Sequence, residues 1–323
     1  MESGALTFPL ILLAFVPIAV ELDQLYPWAR ATGDSNAIIE ERALATPIAN
    51  DTPEEPTVHI ATDVREYYLN PNGFFGRAAV CFVTWLGLTT LLCRRAHQEL
   101  RRPRWMRRVS AAGALVLVLT CTFAAIDWGM SLESDWYSTM YGALFAIGAL
   151  LAGFALVTAS AAYLKAALLP QWQLMPRDTL ADFGSLLLAF LMLWAYFAFS
   201  QFLIIWSGNL PEENVWYVHR LTGGWQWFGI AVVAFQFIVP FLLLLSRDLK
   251  RAPVWLAAVA LLIFVLQFVF VLWTILPAFY PGSVSLHLTD IAAPLAFGGL
   301  WMFCYLSILG RRLSEPLPAE ATP

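Results

Sequence analysis

Asp127-Trp-Gly-Met-Ser-Leu-Glu-Ser-Asp-Trp-Tyr-Ser-Thr-Met-Tyr141-Gly142 is a polar, aromatic-rich stretch set between two long apolar runs. The runs, residues 109–126 before it and 142–163 after it, are each long enough, at about 1.5 Å of helix rise per residue, to cross roughly 30 Å of hydrocarbon. The stretch therefore reads as a lip of a membrane protein. Trp128, Trp136, Tyr137 and Tyr141 suit the interfacial aromatic belt, with an apolar ring against lipid and an N–H or O–H toward water. Asp127 falls at the boundary and supports two readings. It belongs to a turn that holds two helices in register, or it is a carboxylate at the edge of a low dielectric, costly to ionise, that passes protons.

Composition agrees with the lip. The 323 residues are 59% hydrophobic and 13% charged, with a mean hydropathy of +0.66. A soluble domain carries about 25% charged residues, so a polytopic membrane protein is expected. Repeated runs of about 20 apolar residues predict helices and not the alternating strands of a barrel. The fold class is an all-α transmembrane helix bundle with eight spans, at about 5–21, 74–93, 109–127, 139–164, 180–207, 225–246, 253–276 and 287–310. No internal repeat is visible, although eight helices allow two four-helix units. The N-terminal run lacks a basic region and a small-residue cleavage site before Leu22, and reads as a retained helix.

The connection from Arg94 to Arg108 carries seven arginines and one glutamate, which places it in the cytoplasm. Alternation outward from this anchor puts 14 of the 19 basic residues inside, among them Lys165, Arg177, Arg247, Lys250, Arg251, Arg311 and Arg312. Both termini are then cytoplasmic. Residues 1–21 form the first helix, 22–73 a periplasmic acidic arm, 74–312 the seven-helix remainder and 313–323 a cytoplasmic tail. The arm holds nine acids against three arginines and reads as an extended segment laid on a partner or on the lip, or as a disordered loop.

Chemistry-bearing groups inside the apolar runs are few. Asp182 opens the fifth span as a first-turn carboxylate, and Tyr196 and Ser200 share a helix face that could extend a polar stripe inward from it. Interhelical hydrogen bonds account for the same residues. Pro211 with Glu212 and Glu213 predicts a short interfacial helix on the outer side, with His219 and Arg220 near its C-terminal end, serving as a docking surface or a lid. His287 and Asp290 open the last span three residues apart, as a proton relay, a hydrogen-bonding end for a quinone, or a helix cap. Gln236 and Gln267 read as bundle glue, and Gly148, Gly153, Gly298 and Gly299 as points of close helix approach. Cys81, Cys93, Cys121 and Cys304 show no C-x-x-C spacing, which argues against haem c, iron–sulfur or zinc in this chain. The scattered inner basic residues give nucleic-acid binding no support.

Several of these motifs, in order, resemble a known family. Asp127 through Thr139, Phe190 through Trp194-Ala-Tyr-Phe-Ala-Phe-Ser-Gln201 to Trp206, and Asn209-Leu-Pro-Glu-Glu are similar to the second NrfD-like (polysulfide reductase membrane-subunit) protein of alternative complex III, the ActF family. Leu25-Tyr-Pro-Trp-Ala29, Pro240 through Arg247 and His287-x-x-Asp290 follow the same pattern. The likeness covers nearly the whole chain and begins near the family's third span. Ser185 stands where members tend to show a lysine after Asp-x-Gly. The resemblance implies a bacterial inner-membrane subunit of a quinol:cytochrome c or quinol:electron acceptor oxidoreductase. Its implied partners are a sister NrfD-like subunit, an iron–sulfur protein and a multihaem cytochrome c, which carry the haem c and iron–sulfur clusters. This chain would hold no metal centre, with quinol or quinone as its ligand. Asp127, His287 and Asp290 on the outer side and Asp182 on the inner side are the implied proton-path positions.

Overall fold

A computed structural model describes residues 8–30, 67–96, 103–167, 177–285 and 287–314, and all regular secondary structure among them is helical. The helices are α1 (Phe8–Val20), α2 (Pro71–Ala96), α3 (Pro103–Trp128), α4 (Thr139–Ala166), α5 (Arg177–Gly208), α6 (Pro211–Leu221), α7 (Trp225–Leu245), α8 (Arg247–Arg251), α9 (Pro253–Ile275) and α10 (Leu288–Ser314). Most of the acidic arm (31–66), residues 97–102 of the arginine-rich connection and the tail from 315 lie outside the described residues.

Seven of the described helices are long and apolar enough to cross a membrane, where eight were expected. The difference is α1. Its 13 described residues, interrupted by Pro17, reach about 20 Å, short of the roughly 30 Å hydrocarbon core. The other seven fall where the apolar runs predicted them, and the chain is an all-α, multi-spanning membrane protein.

The chain divides into two units, Met1–Leu117 with Ser285–Pro323, and Val118–Val284. In the first, Tyr26 and Trp28 from the short turns after α1 pack on Phe74 at the start of α2, with ring centroids 5.5 and 5.7 Å away. Nearby, the Arg77 guanidinium lies 3.9 Å over the Tyr68 ring. Leu22–Arg30, expected to be extended arm, is therefore partly helical and anchored by aromatic contact.

The second unit is organised by α4, which is apolar all round and has no polar face to turn outward. Its buried residues nevertheless follow a strict pattern: Tyr141, Leu144, Gly148, Leu151, Ala155, Thr158 and Ala162 step by three and four. Leu256, Ala260, Ile263, Gln267, Phe270 and Thr274 do the same on α9, as do Leu180, Gly184, Leu187, Leu191 and Trp194 on α5. This is the heptad seam of helices that cross at a shallow angle and interlock side chains. Gly142 lets α4 press against the end of α3, since an added Cβ would sit 3.1 Å from the Thr122 carbonyl oxygen and 3.2 Å from its Cα. Gly153, Gly298 and Gly299 have no such neighbour within 4 Å, so they do not thin an interface among the described residues.

On α7 the buried positions Val232, Gln236, Pro240 and Leu244 step by four each time. Straight α-helix would carry such a row around the cylinder. Residues Val232–Ile238 instead form a π-helix, and the wider turn keeps these residues on one face. Pro240 supplies the cause, because its ring lacks an N–H and crowds the carbonyl four residues back.

The outer ends of α6, α7 and α9 are stitched by glycines. Gly223 adopts φ +61°, and a Cβ there would collide with the backbone of Gly282, itself at φ +87°. Val284 N donates to Gly223 O at 3.1 Å across the same contact. Gly223→Ala is therefore expected to destabilise by about 1–3 kcal/mol, from a left-handed backbone and a backbone clash together. Thermal unfolding of the full chain in mild detergent checks this, with Gly153→Ala, in open space, as the neutral control.

Candidate functional site

The best-defined polar assembly lies at the outer end of the second unit, built around α6. This helix begins at Pro211, carries Glu212 and Glu213 in its first turn and ends with His219 and Arg220, as its charge order predicted. The chain enters it through Asn209 at φ +47°, a left-handed conformation that asparagine tolerates. Asn214 Nδ2 donates to Asn209 Oδ1 at 3.0 Å and closes the corner.

Trp216 anchors the inner face of α6. It stacks on Trp136 with centroids 4.9 Å apart and meets Tyr141 and Trp273 edge-on. Trp136 Nε1 donates to the Glu213 carbonyl at 3.0 Å. The aromatic stretch that marked the lip in the sequence thus serves as the bed for a helix about 75 residues later, and Trp136 is buried there rather than spread at a lipid boundary.

Arg220 continues the inner face, and its exposure is 1%. The guanidinium lies 3.8 Å over the Trp216 ring. It donates through Nε to the Thr274 carbonyl at 3.1 Å, through Nη1 to the Trp216 carbonyl at 2.9 Å, and through Nη2 to Glu133 Oε2 at 2.8 Å. Burial pulls its pKa below the ordinary guanidinium value, while the neighbouring Glu133 charge opposes the shift. Burial pushes the Tyr217 phenol upward, with Gln201 and Arg220 acting against it. The other carboxylate oxygen of Glu133, Oε1, lies 2.9 Å from His219 Nδ1. One carboxylate therefore bridges a buried guanidinium and a partly exposed imidazole, tying the 127–138 turn, α6 and the end of α9 together.

Glu133 is the residue the sequence reading passed over, although it sits in the opening stretch. A retrievable signal existed: one acid within an aromatic outer turn and a His-Arg pair in another outer segment are charge-complementary. Arg220 was expected on an outward docking face and is instead turned inward. Glu212 is exposed, Glu213 partly so, and His219 is partly exposed.

The other expected positions are scattered. Asp127 is buried at the end of α3, where its carbonyl accepts a hydrogen bond from Ser131 Oγ. Asp182 is exposed near the inner end of α5. Beside it Arg251 of α8 pairs with Asp178 at 3.0 Å, and Lys250 Nζ lies 3.2 Å from Ser185 Oγ. Tyr196 is 62% exposed, so the stripe through Tyr196 and Ser200 does not run through the core of this unit. His287 and Asp290 belong to the first unit. There Asp290 Oδ2 accepts from the His287 backbone N–H at 2.9 Å, a helix-capping bond, with the ring Nδ1 3.9 Å from the same oxygen.

The Glu133–Arg220 pair has a measurable signature. Arg220→Leu leaves a buried carboxylate without its cation and is expected to cost about 3–5 kcal/mol. Glu133→Gln is expected to cost less, and the double substitution less than the sum, a coupling of about 0.5–3 kcal/mol in a double-mutant cycle read by thermal unfolding.

No family model matches the chain, and no curated protein matches it. On its own residues, then, the chain is an integral membrane protein of several helical spans, with a rigid polar cap at the lip formed by residues 127–138.

Proposed function

We propose that this chain is an accessory membrane subunit of a quinol-oxidising respiratory complex, an NrfD-like subunit of the alternative complex III type in a bacterial inner membrane. The observation that carries the reading is α6: an interfacial helix, fixed from beneath by Arg220 and Trp216, that presents Glu212 outward with His219 beside it. A platform held this firmly suits docking of an extramembrane electron carrier, because little loop ordering remains to be done on association. The ordered motifs shared with the ActF family support the same reading. In it, the four long helices of the second unit form one four-helix unit of an NrfD-like bundle, and the arginine-rich connection and both termini face the cytoplasm. The sister membrane subunit, the iron–sulfur protein and the multihaem cytochrome c are the partners, and quinol is oxidised chiefly elsewhere in the complex.

A purely structural anchor is the second reading, and two observations favour it. Tyr196 lies outward, and Asp290 is engaged in capping its own helix. Proton half-channels through Asp127 and Asp182, and a quinone end at His287 and Asp290, belong to the first reading only.

Extraction of the full chain from its native membrane in mild detergent is expected to bring haem- and iron–sulfur-containing subunits with it, and Glu212→Lys is expected to weaken that association. Recovery of the chain alone contradicts the proposal. In the intact complex, unchanged quinol turnover and proton release in Asp182→Asn and Asp290→Asn separate the anchor from the proton-carrying subunit.

A further inference from the structure

Roughly halfway along the second unit, four helices each contribute one residue to a polar junction: Gly148 of α4, Trp194 of α5, Gln236 of α7 and Gln267 of α9. Gln236 Nε2 donates to Gln267 Oε1 at 2.7 Å. That bond uses half of the Gln236 amide. Its Oε1 accepts nothing among the described residues, and the Trp194 indole N–H donates to none of them. The two side chains are 0% and 3% exposed. Hydrocarbon offers no solvent to satisfy either group, so an acceptor and a donor left orphaned here need a partner.

The backbone provides a place for one. A Cβ on Gly148 would overlap Gln267 Nε2 and would lie 3.6 Å from Trp194 Cδ1, the ring carbon bonded to the orphaned nitrogen. The polar edge of the indole and the Gln267 amide therefore border the hollow that the glycine leaves. At the same level α7 opens into its π-turn, with Val239 N donating to Ala234 O five residues back, and this geometry turns Gln236 onto the core face.

The guest must be small, must accept from an indole N–H and donate to an amide oxygen, and must be uncharged, since none of the four residues carries a balancing charge. We propose that the junction binds a single water molecule, held between Trp194 and Gln236 against Gly148. Phe270 packs edge-on against Trp194 at 5.1 Å on the outer side, and the fully buried Ile263 lies one turn inward of Gln267. The water is accordingly an isolated hydration site and not a link in a chain running from lip to lip. The inference is independent of any respiratory role.

The test is an experimental structure of the full chain in lipid nanodiscs, at a resolution where ordered waters appear elsewhere in the protein. A density peak within about 2.7–3.2 Å of both Trp194 Nε1 and Gln236 Oε1 is expected, and it should be missing in Gly148→Ala. Well-defined side chains with no peak in the unaltered protein overturn the proposal. Gln236→Leu combined with Gln267→Leu supplies a second readout. A hydrated junction loses the partners of its water and Tm falls by about 2–4 °C. A dry junction is relieved of its orphaned acceptor, and an unchanged or raised Tm overturns the proposal.

Discussion

Apolar helices gain little from merely meeting in lipid, because the hydrocarbon they leave is as apolar as the surface they find. What holds α4, α5 and α9 together must therefore be fit. The three helices share one device, a buried row repeating every three and four residues, with its thinnest members at Gly148, Ala155 and Gly184. Close approach along that row multiplies dispersion contacts that are individually worth only about 0.1–0.2 kcal/mol. The remaining features of the second unit, the open turn in α7 and the cap beneath α6, are accommodations to this seam or closures at its ends.

The outer closure depends on an ion pair that could easily have been unfavourable. Withdrawing a guanidinium from water is expensive, and pairing alone often fails to offset it. Arg220 meets the cost with a complete set of acceptors, namely the carbonyls of Thr274 and Trp216 and one carboxylate oxygen, with an indole face beneath. Such satisfied networks contribute more to geometric definition than to net stability. That suits a surface element whose purpose is to hold a fixed attitude.

Sequence carried the fold well and the site poorly, for reasons visible in particular residues. Length and apolarity sufficed for seven spans because hydrocarbon thickness is a one-dimensional constraint. The same rule overcounted at α1, where apolar residues are present but the helix is short. The charge order from Pro211 to Arg220 predicted the α6 helix correctly, since dipole and capping preferences are local. Which side of α6 faces the protein is not local. It depends on Trp136 and Glu133, about 80 residues upstream, so Arg220 was placed outward when it points in. Likewise the seam of α4 could not be seen as polar against apolar, for the whole helix is apolar; only its small residues and Thr158 mark the packed side. Tyr196 and Ser200 were aligned correctly with each other, but periodicity could not say that their shared face points away from the core.

The π-stretch of α7 amounts to one residue of slack wound into a membrane helix. Were one residue cut from 232–238, the coil would close to ordinary pitch, and everything from Val239 onward would swing by about 100° and retract by about 1.5 Å. Arg251 would then leave Asp178, undoing the inner clasp from a point roughly midway across the bilayer. The register of this one helix is thus the common gear between the middle of the unit and its inner rim.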